Sequence, residues 1–238
     1  QDMWRLSGIY RDVYLYSTPK VHIRDYSILP DLDDNYENGT LEISSEIVCH
    51  LEKIDSHSIR EYTVEVKVFQ LSNGKFSIVD SEKSKEISER RLQNEKTVKT
   101  NVGFELENPK KWSAERPNLY YVVLNLLKNT ESGVEMVLES HCQEVGFRKI
   151  EIRPITQGPS KGGAQFLLNG KPILFKGVNV HDWDPDSGLT LPFYRMVQDF
   201  KLLKKNNVNA IRTSHYPKTS MWYRLANIFG IYVMDECN

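Results

Sequence analysis

The apolar residues of this chain change their period once, and that change limits what it can fold into. From about Lys20 to Ile152 they recur at every second position; beyond the Gly/Pro/Ser-rich stretch "RPITQGPSKGGAQ" they recur every three or four positions between short apolar runs. Successive side chains of a strand point to opposite faces, whereas neighbours on a helix lie three and four apart, so the two halves need different layers. The stretch between them suits a linker. A chain of 238 residues is long enough to give each half its own core.

In the first half "TLEISSEIV" alternates at Leu41, Ile43 and, after a slip, Ile47, and "YTVEVKVFQL" alternates at Val64, Val66 and Val68. "LYYVVLNLL" and "EVGFRKIEI" add β-branched and aromatic residues. Turns are expected at Asn38-Gly39, Asn73-Gly74, Asn108-Pro109 and Arg116-Pro117-Asn118. About seven short strands predict an all-β immunoglobulin-like sandwich over 20–152, without the Cys…Trp…Cys spacing of true immunoglobulins. The charged segment "SEKSKEISERRLQNEK" has only Ile87 and Leu92 as apolar anchors and is expected as an exposed hairpin or edge excursion. Trp4, Trp112, Tyr120 and Tyr121 are expected in core and turn packing.

In the second half "FLLNGKPILFKGVNV" reads as a hairpin on Asn169-Gly170 whose second arm is a near-continuous strand. Phe193, Met196, Val197, Phe200 and Leu203 (or Leu202) follow Pro192 at helical spacing. "NAIRTSH" is a second strand, "SMWYRLANIF" a second helix ending at Gly230, and "IYVMDE" a third strand. Strand, helix, strand, helix, strand predicts a parallel sheet, doubly wound or the opening of a (β/α)8 barrel, over 153–238.

Composition removes several classes of partner. With 31 basic and 32 acidic residues spread along the chain, no nucleic-acid or membrane partner is expected. No apolar run reaches the roughly 18 residues of a membrane span, so a soluble protein is expected. Cys49, Cys142 and Cys237 show no Cys-x-x-Cys spacing, which favours a reducing compartment such as the cytoplasm. The chain opens on Gln1 and stops at Asn238 directly after an apolar strand, as a section cut from something longer would.

In a parallel architecture functional residues gather at the carboxyl ends of strands. Those ends carry Asn179, His181 and Asp182, then Arg212, Ser214 and His215, then Asp235, Glu236 and Asn238. A histidine at a strand end is commonly a satisfied structural residue; two on adjacent strands leave both readings open. Arg212 beside Ile211 needs a carboxylate partner if buried. Asp235 and Glu236 are adjacent, so they point to opposite faces and cannot serve one site together. Ser214 next to His215 lacks the Gly-x-Ser-x-Gly elbow, and His181, His215 and Glu236 lack metal-ligand spacing. Trp183 follows in the strand-end loop, where an indole suits the apolar face of a sugar.

The stretch "NAIRTSHYPKTSMWYRLANIFGIYVM" resembles the long signature of glycoside hydrolase family 2, and "QDMWRLSGIYRDVYL", "ENPKKWSAERPNLY", "EVGFRKIEI" and "LLNGKPILFKGVN" resemble its β-galactosidase branch. The resemblance implies an inner section of a five-domain retaining enzyme that hydrolyses terminal β-galactosides. Residues 1–19 would end the jelly-roll sugar-binding domain, 20–152 would be the immunoglobulin-like domain, and 153–238 would begin the catalytic barrel. It further implies that both catalytic glutamates lie beyond this chain, that the full-length enzyme uses Mg2+ and Na+ while this section holds no cofactor, and that a homo-oligomer is possible. His181 and His215 resemble the histidines that bind galactosyl hydroxyls, with Asn179 and Trp183 beside them in substrate binding. Arg212 resembles the arginine that holds the nucleophilic carboxylate. The section alone is expected to be inactive; the alternative is a non-catalytic carbohydrate-binding or interaction module built on the sandwich. The chain departs from the family where Asn179-Val180-His181-Asp182 stands for Asn-Arg-His-Glu and where Asp184 replaces a further histidine, a difference that bears on substrate preference.

Overall fold

The computed structural model describes residues 7–51, 60–129 and 133–237, and these fall into two compact units. One is formed by Tyr16–Lys110 and Leu119–Phe147. The other takes the segment ending at Leu15, the loop Lys111–Asn118 and Arg148–Asn238.

The first unit is the sandwich. Its strands are β1 (Val21–Leu32), β2 (Gly39–Cys49), β3 (Glu61–Ser72), β4 (Lys75–Lys83) and β5 (Ile87–Ser88), then, after helix α1 (Glu89–Glu95), β6 (Thr97–Leu106), β7 (Tyr120–Asn129) and β8 (Glu135–Val145). They pair antiparallel in two sheets, ordered β1-β2-β6 and β4-β3-β7-β8, with β5 attached to β3. Period-2 alternation becomes burial on one face: Val64, Val66 and Val68 of β3 and Val122, Leu124 and Leu126 of β7 are all fully buried. Trp112 and Tyr120 are buried as expected, whereas Trp4 lies outside the described residues.

Three local expectations are corrected. The slip in "TLEISSEIV" does not exist: Ser45 is buried between Ile43 and Ile47, so β2 keeps one inward face and pairs with β6 without a shift. Gly39 is not a turn glycine but the first residue of β2, placed where a Cβ would stand 2.8 Å from both Phe147 and Pro109. The turn is closed one step earlier by Asp33, whose carboxylate accepts from the N–H groups of Glu37 and Asn38. The charged segment is neither hairpin nor excursion at its centre. Ser88 caps α1 by accepting from Arg91 N, and Ile87 and Leu92 are both buried, so two anchors suffice for a seven-residue helix.

The second unit contains the hairpin and the parallel strands. β9 (Ile150–Pro154), β10 (Ala164–Leu168) and β11 (Lys171–Pro172) form one small antiparallel sheet. Asn169 and Gly170 both take positive φ, the geometry of a two-residue hairpin turn. The second arm is shorter than expected: it ends at Pro172, a residue with no N–H to donate to the ladder, and the chain re-forms as β12 (Gly177–Asn179) in a different sheet. β12, β13 (Ala210–Arg212) and β14 (Tyr232–Met234) pair in parallel, with α2 (Phe193–Lys205) and α3 (Ser220–Phe229) as the crossovers. This is a parallel βαβαβ unit, as the alternation of strand and helix predicts.

The two helices meet over Phe200, which is fully buried against Trp222 and Phe229 at ring-centroid distances of 5.1 and 5.5 Å. Leu203 rather than Leu202 packs on this cluster, and Phe193, expected on the same stripe, is exposed. Gly230 caps α3 at φ 70°, and a Cβ there would run into the backbone of Ala114. That contact belongs to the loop 111–118, whose Trp112 indole N–H donates to Asn227 O at 2.9 Å under the face of Arg148. Of residues 1–19, expected as a strand of a jelly roll, 1–6 lie outside the described residues; 7–19 form no strand, having no described strand to pair with.

Candidate active site

The carboxyl ends of β12, β13 and β14 bring the predicted residues together. Arg212 closes β13 in register with Asn179 of β12 and Met234 of β14, so its guanidinium reaches Asn179 itself and Glu236, two residues past Met234. Nε and Nη2 both lie 2.7 Å from Glu236 Oε1, while Nη1 donates to Asn179 Oδ1 at 3.3 Å. The carboxylate partner that a partly buried arginine requires is therefore Glu236.

The other oxygen of Glu236 takes His215. Nδ1 lies 2.8 Å from Oε2, and because a carboxylate can only accept, Nδ1 carries the proton and Nε2 is left to a ligand. Arg212 Nη2 lies 3.3 Å from the same Nδ1, a near approach of two donors rather than a second bond. Burial alone would raise the Glu236 carboxyl, but the hydrogen bond from His215 and then the bond and charge of Arg212 outweigh it and hold the pKa below the ordinary glutamate value. Asp235 faces the other way, accepting from Thr213 Oγ1 at 2.8 Å and from Tyr223 Oη at 2.7 Å. The alternation expected of adjacent strand residues is thus observed.

His181 stands edge-on to His215 with ring centroids 5.4 Å apart. The loop that carries it alternates sharply: His181 and Trp183 are exposed, Asp182 and Asp184 are buried. Both acids are tied inward. Asp184 accepts from the N–H groups of Asp186 and Ser187 and from Arg195 Nε, which keeps its pKa low against the opposing effect of burial. Asp184, the position that departs from the family histidine, is an internal loop anchor and presents no carboxylate to the strand ends.

Two alternatives lose their geometry. Ser214 is buried and its Oγ accepts from Arg212 Nη1 at 3.5 Å, a guanidinium that cannot act as the base a serine nucleophile needs. Among the described residues no group of three or more His, Cys, Asp or Glu side chains is arranged to hold a metal ion, and Glu236 has both oxygens occupied by cationic or N–H partners. These residues do not fit the magnesium or sodium ion that the family resemblance implies. Asn238, at the end of the third strand segment, lies outside the described residues. No helix among the described residues is long and apolar enough to cross a membrane. The sequence reading missed Lys218, whose side chain is completely buried against Asp182; a lysine after His-Tyr-Pro carries no local sign that it turns inward.

Comparisons with known proteins agree with this arrangement. The model for "Glycosyl hydrolases family 2" matches residues 21–148, and that for "Glycosyl hydrolases family 2, TIM barrel domain" matches 161–238. A β-galactosidase of Priestia megaterium is 39% identical over 239 residues, and one of Vibrio vulnificus is 41% identical over 239; both alignments cover 100% of this chain. The chain spans 21% of the length of each of these relatives. Among solved structures, a β-glycosidase from Bacteroides vulgatus matches with a TM-score of 0.74 at 30% identity, covering 97% of this chain and 26% of that one. A β-glucuronidase of Bacteroides uniformis shares the fold at 23% identity, with a TM-score of 0.67 over 92% of this chain and 23% of its own.

Proposed function

Because the chain belongs to glycoside hydrolase family 2, we propose that it supplies the sugar-gripping side of a retaining β-galactosidase acting on terminal β-D-galactosides. The observation that carries this reading is the cluster at three successive strand ends in which Arg212 and His215 converge on Glu236, Asn179 takes Arg212 and His181 stands against His215. Retaining hydrolysis needs two carboxylates about 5 Å apart, one to protonate the leaving oxygen and one to attack the anomeric carbon. Glu236 performs neither role, since both its oxygens are engaged and it stays ionised. The two glutamates come from outside the chain in this reading, as do the donors for Mg2+ and Na+.

The residues present do electrostatic and orienting work. His215, its Nδ1–H fixed on Glu236, offers Nε2 to a hydroxyl in one orientation. His181 offers a second ring nitrogen from the facing loop, and the exposed Trp183 indole offers an apolar face two residues on. Arg212, its charge paired with Glu236 and its Nη1 on Asn179, holds both of these side chains in one orientation at the strand ends.

Titration of the chain with galactose tests the reading. Binding is expected, and His181→Ala and His215→Ala are each expected to weaken it about three- to tenfold, the size of one lost hydrogen bond. Turnover of a chromogenic β-galactoside is expected to be absent. Binding that survives both substitutions together would move the function to the sandwich, as a non-catalytic module.

A further inference from the structure

His181 and His215 belong to different loops, and the hydroxyls of one sugar ring require the two imidazoles at a fixed spacing. The His181 loop is clamped on both sides of the histidine by one buried lysine. Lys218 has no exposed side-chain surface; its Nζ donates to Val180 O at 3.1 Å and lies 3.0 Å from Asp182 Oδ1. Val180 and Asp182 are the chain neighbours of His181. Tyr216 completes the bracket, its ring 4.5 Å from the same Nζ and its Oη accepting from Asp182 N at 3.0 Å.

The other end of Lys218 is tied to the opposite wall. Its backbone N–H donates to Tyr223 Oη at 2.9 Å, and that hydroxyl donates to Asp235 Oδ1 at 2.7 Å, one residue before the Glu236 that fixes His215. Side chain and backbone of Lys218 therefore join the β12 loop to the end of β14. An ammonium without contact to water is costly to keep, and an apolar side chain of the same length would fill the space more cheaply.

We propose that Lys218 is a positioning residue: by holding Val180 and Asp182 it sets the His181 imidazole against that of His215, so that the pair can grip neighbouring hydroxyls of one hexose. The geometric half stands on the contacts above; the hexose rests on the functional reading given in the preceding section.

The test compares the chain with K218M and with K218M/D182N. K218M leaves the Asp182 carboxylate buried without its cation, so it is expected to lose stability and galactose affinity together. The double variant removes both charges and is expected to regain stability, while the bond to Val180 O remains missing. Its galactose affinity should then stay about tenfold below the parent, and the nuclear Overhauser contact between the His181 and His215 ring protons should be lost. Recovery of affinity and of the ring contact along with stability would reduce Lys218 to a structural residue and overturn the proposal. If K218M fails to fold, Tyr216→Phe, which removes only the acceptor for Asp182 N, gives a milder cut with the same two readouts. If the parent binds no galactose, the functional reading fails, and the ring contact across the same proteins still decides the role of Lys218.

Discussion

Among the described residues, the main core of the sandwich joins 23 buried side chains, contributed by both sheets and α1, whereas that of the parallel unit joins seven around Phe200 and Trp222. The sandwich strands run 9 to 12 residues apart from the two-residue β5; the parallel strands have three residues each. Every residue of β12 is exposed, while buried acids and a buried lysine hold the loop that follows it. In the first unit apolar area fixes the backbone, and buried polar side chains such as Ser45 and Glu89 are set singly within it. In the second, ion pairs and charge-assisted hydrogen bonds fix side chains relative to one another, over a small apolar base.

The sharpest way to break this contrast is to remove one side chain from each core. Phe200→Ala is expected to cost about 3–5 kcal/mol, a loss the small cluster cannot redistribute. Hydrogen exchange should show protection lost across α2, α3, β13 and β14 while β3 and β7 keep theirs. Leu124→Ala, fully buried in β7, is expected to cost about 2–5 kcal/mol and to lower the denaturation midpoint of the sandwich without abolishing it. Equal loss of protection in β3 and β7 from Phe200→Ala would show that the two cores are one cooperative unit.

A smaller effect probes the tightness of the sandwich. Gly39→Ala places a methyl against Phe147 and Pro109 and is expected to cost about 1–3 kcal/mol by overpacking, measured by urea denaturation. A neutral result would mean that the aromatic contact yields readily and that the sandwich core is looser than its burial indicates.

The smallest effect in stability is the most specific to the site. The folded pKa of Glu236 lies below the ordinary value of 4.5, so its pairing contributes fully above that value and is lost as pH falls through the depressed one. The carboxyl carbon signal of Glu236 should therefore titrate below pH 4.5, and Arg212→Ala should move its midpoint upward. An unmoved midpoint would assign the depression to His215 alone.

The sandwich was legible because alternation is a property of single strands: Val64, Val66 and Val68 announce their own burial. Ser45 was misread for the complementary reason. A buried serine looks like a break in an apolar pattern, and only the unbroken ladder between β2 and β6 shows it to be part of the inward face. At the site, strand-end position identified Asn179, His181, Arg212 and His215, and the family resemblance gave them roles. Their partners were not legible, since Arg212 and Glu236 are 24 positions apart and Lys218 and Val180 are 38 apart. Such pairs are fixed by the register of parallel strands, which no short stretch of sequence encodes.

The loop that carries Trp112 leaves between β6 and β7, yet its indole is satisfied by Asn227, 115 positions later. On a ribosome adding about 5–20 residues per second, that interval lasts on the order of 6–23 s. Through that time a large apolar ring, with an N–H that only water can satisfy, stays exposed. The emerging chain thus carries a timed vulnerability at Trp112, whose indole meets its protein partner only once α3 has been synthesised.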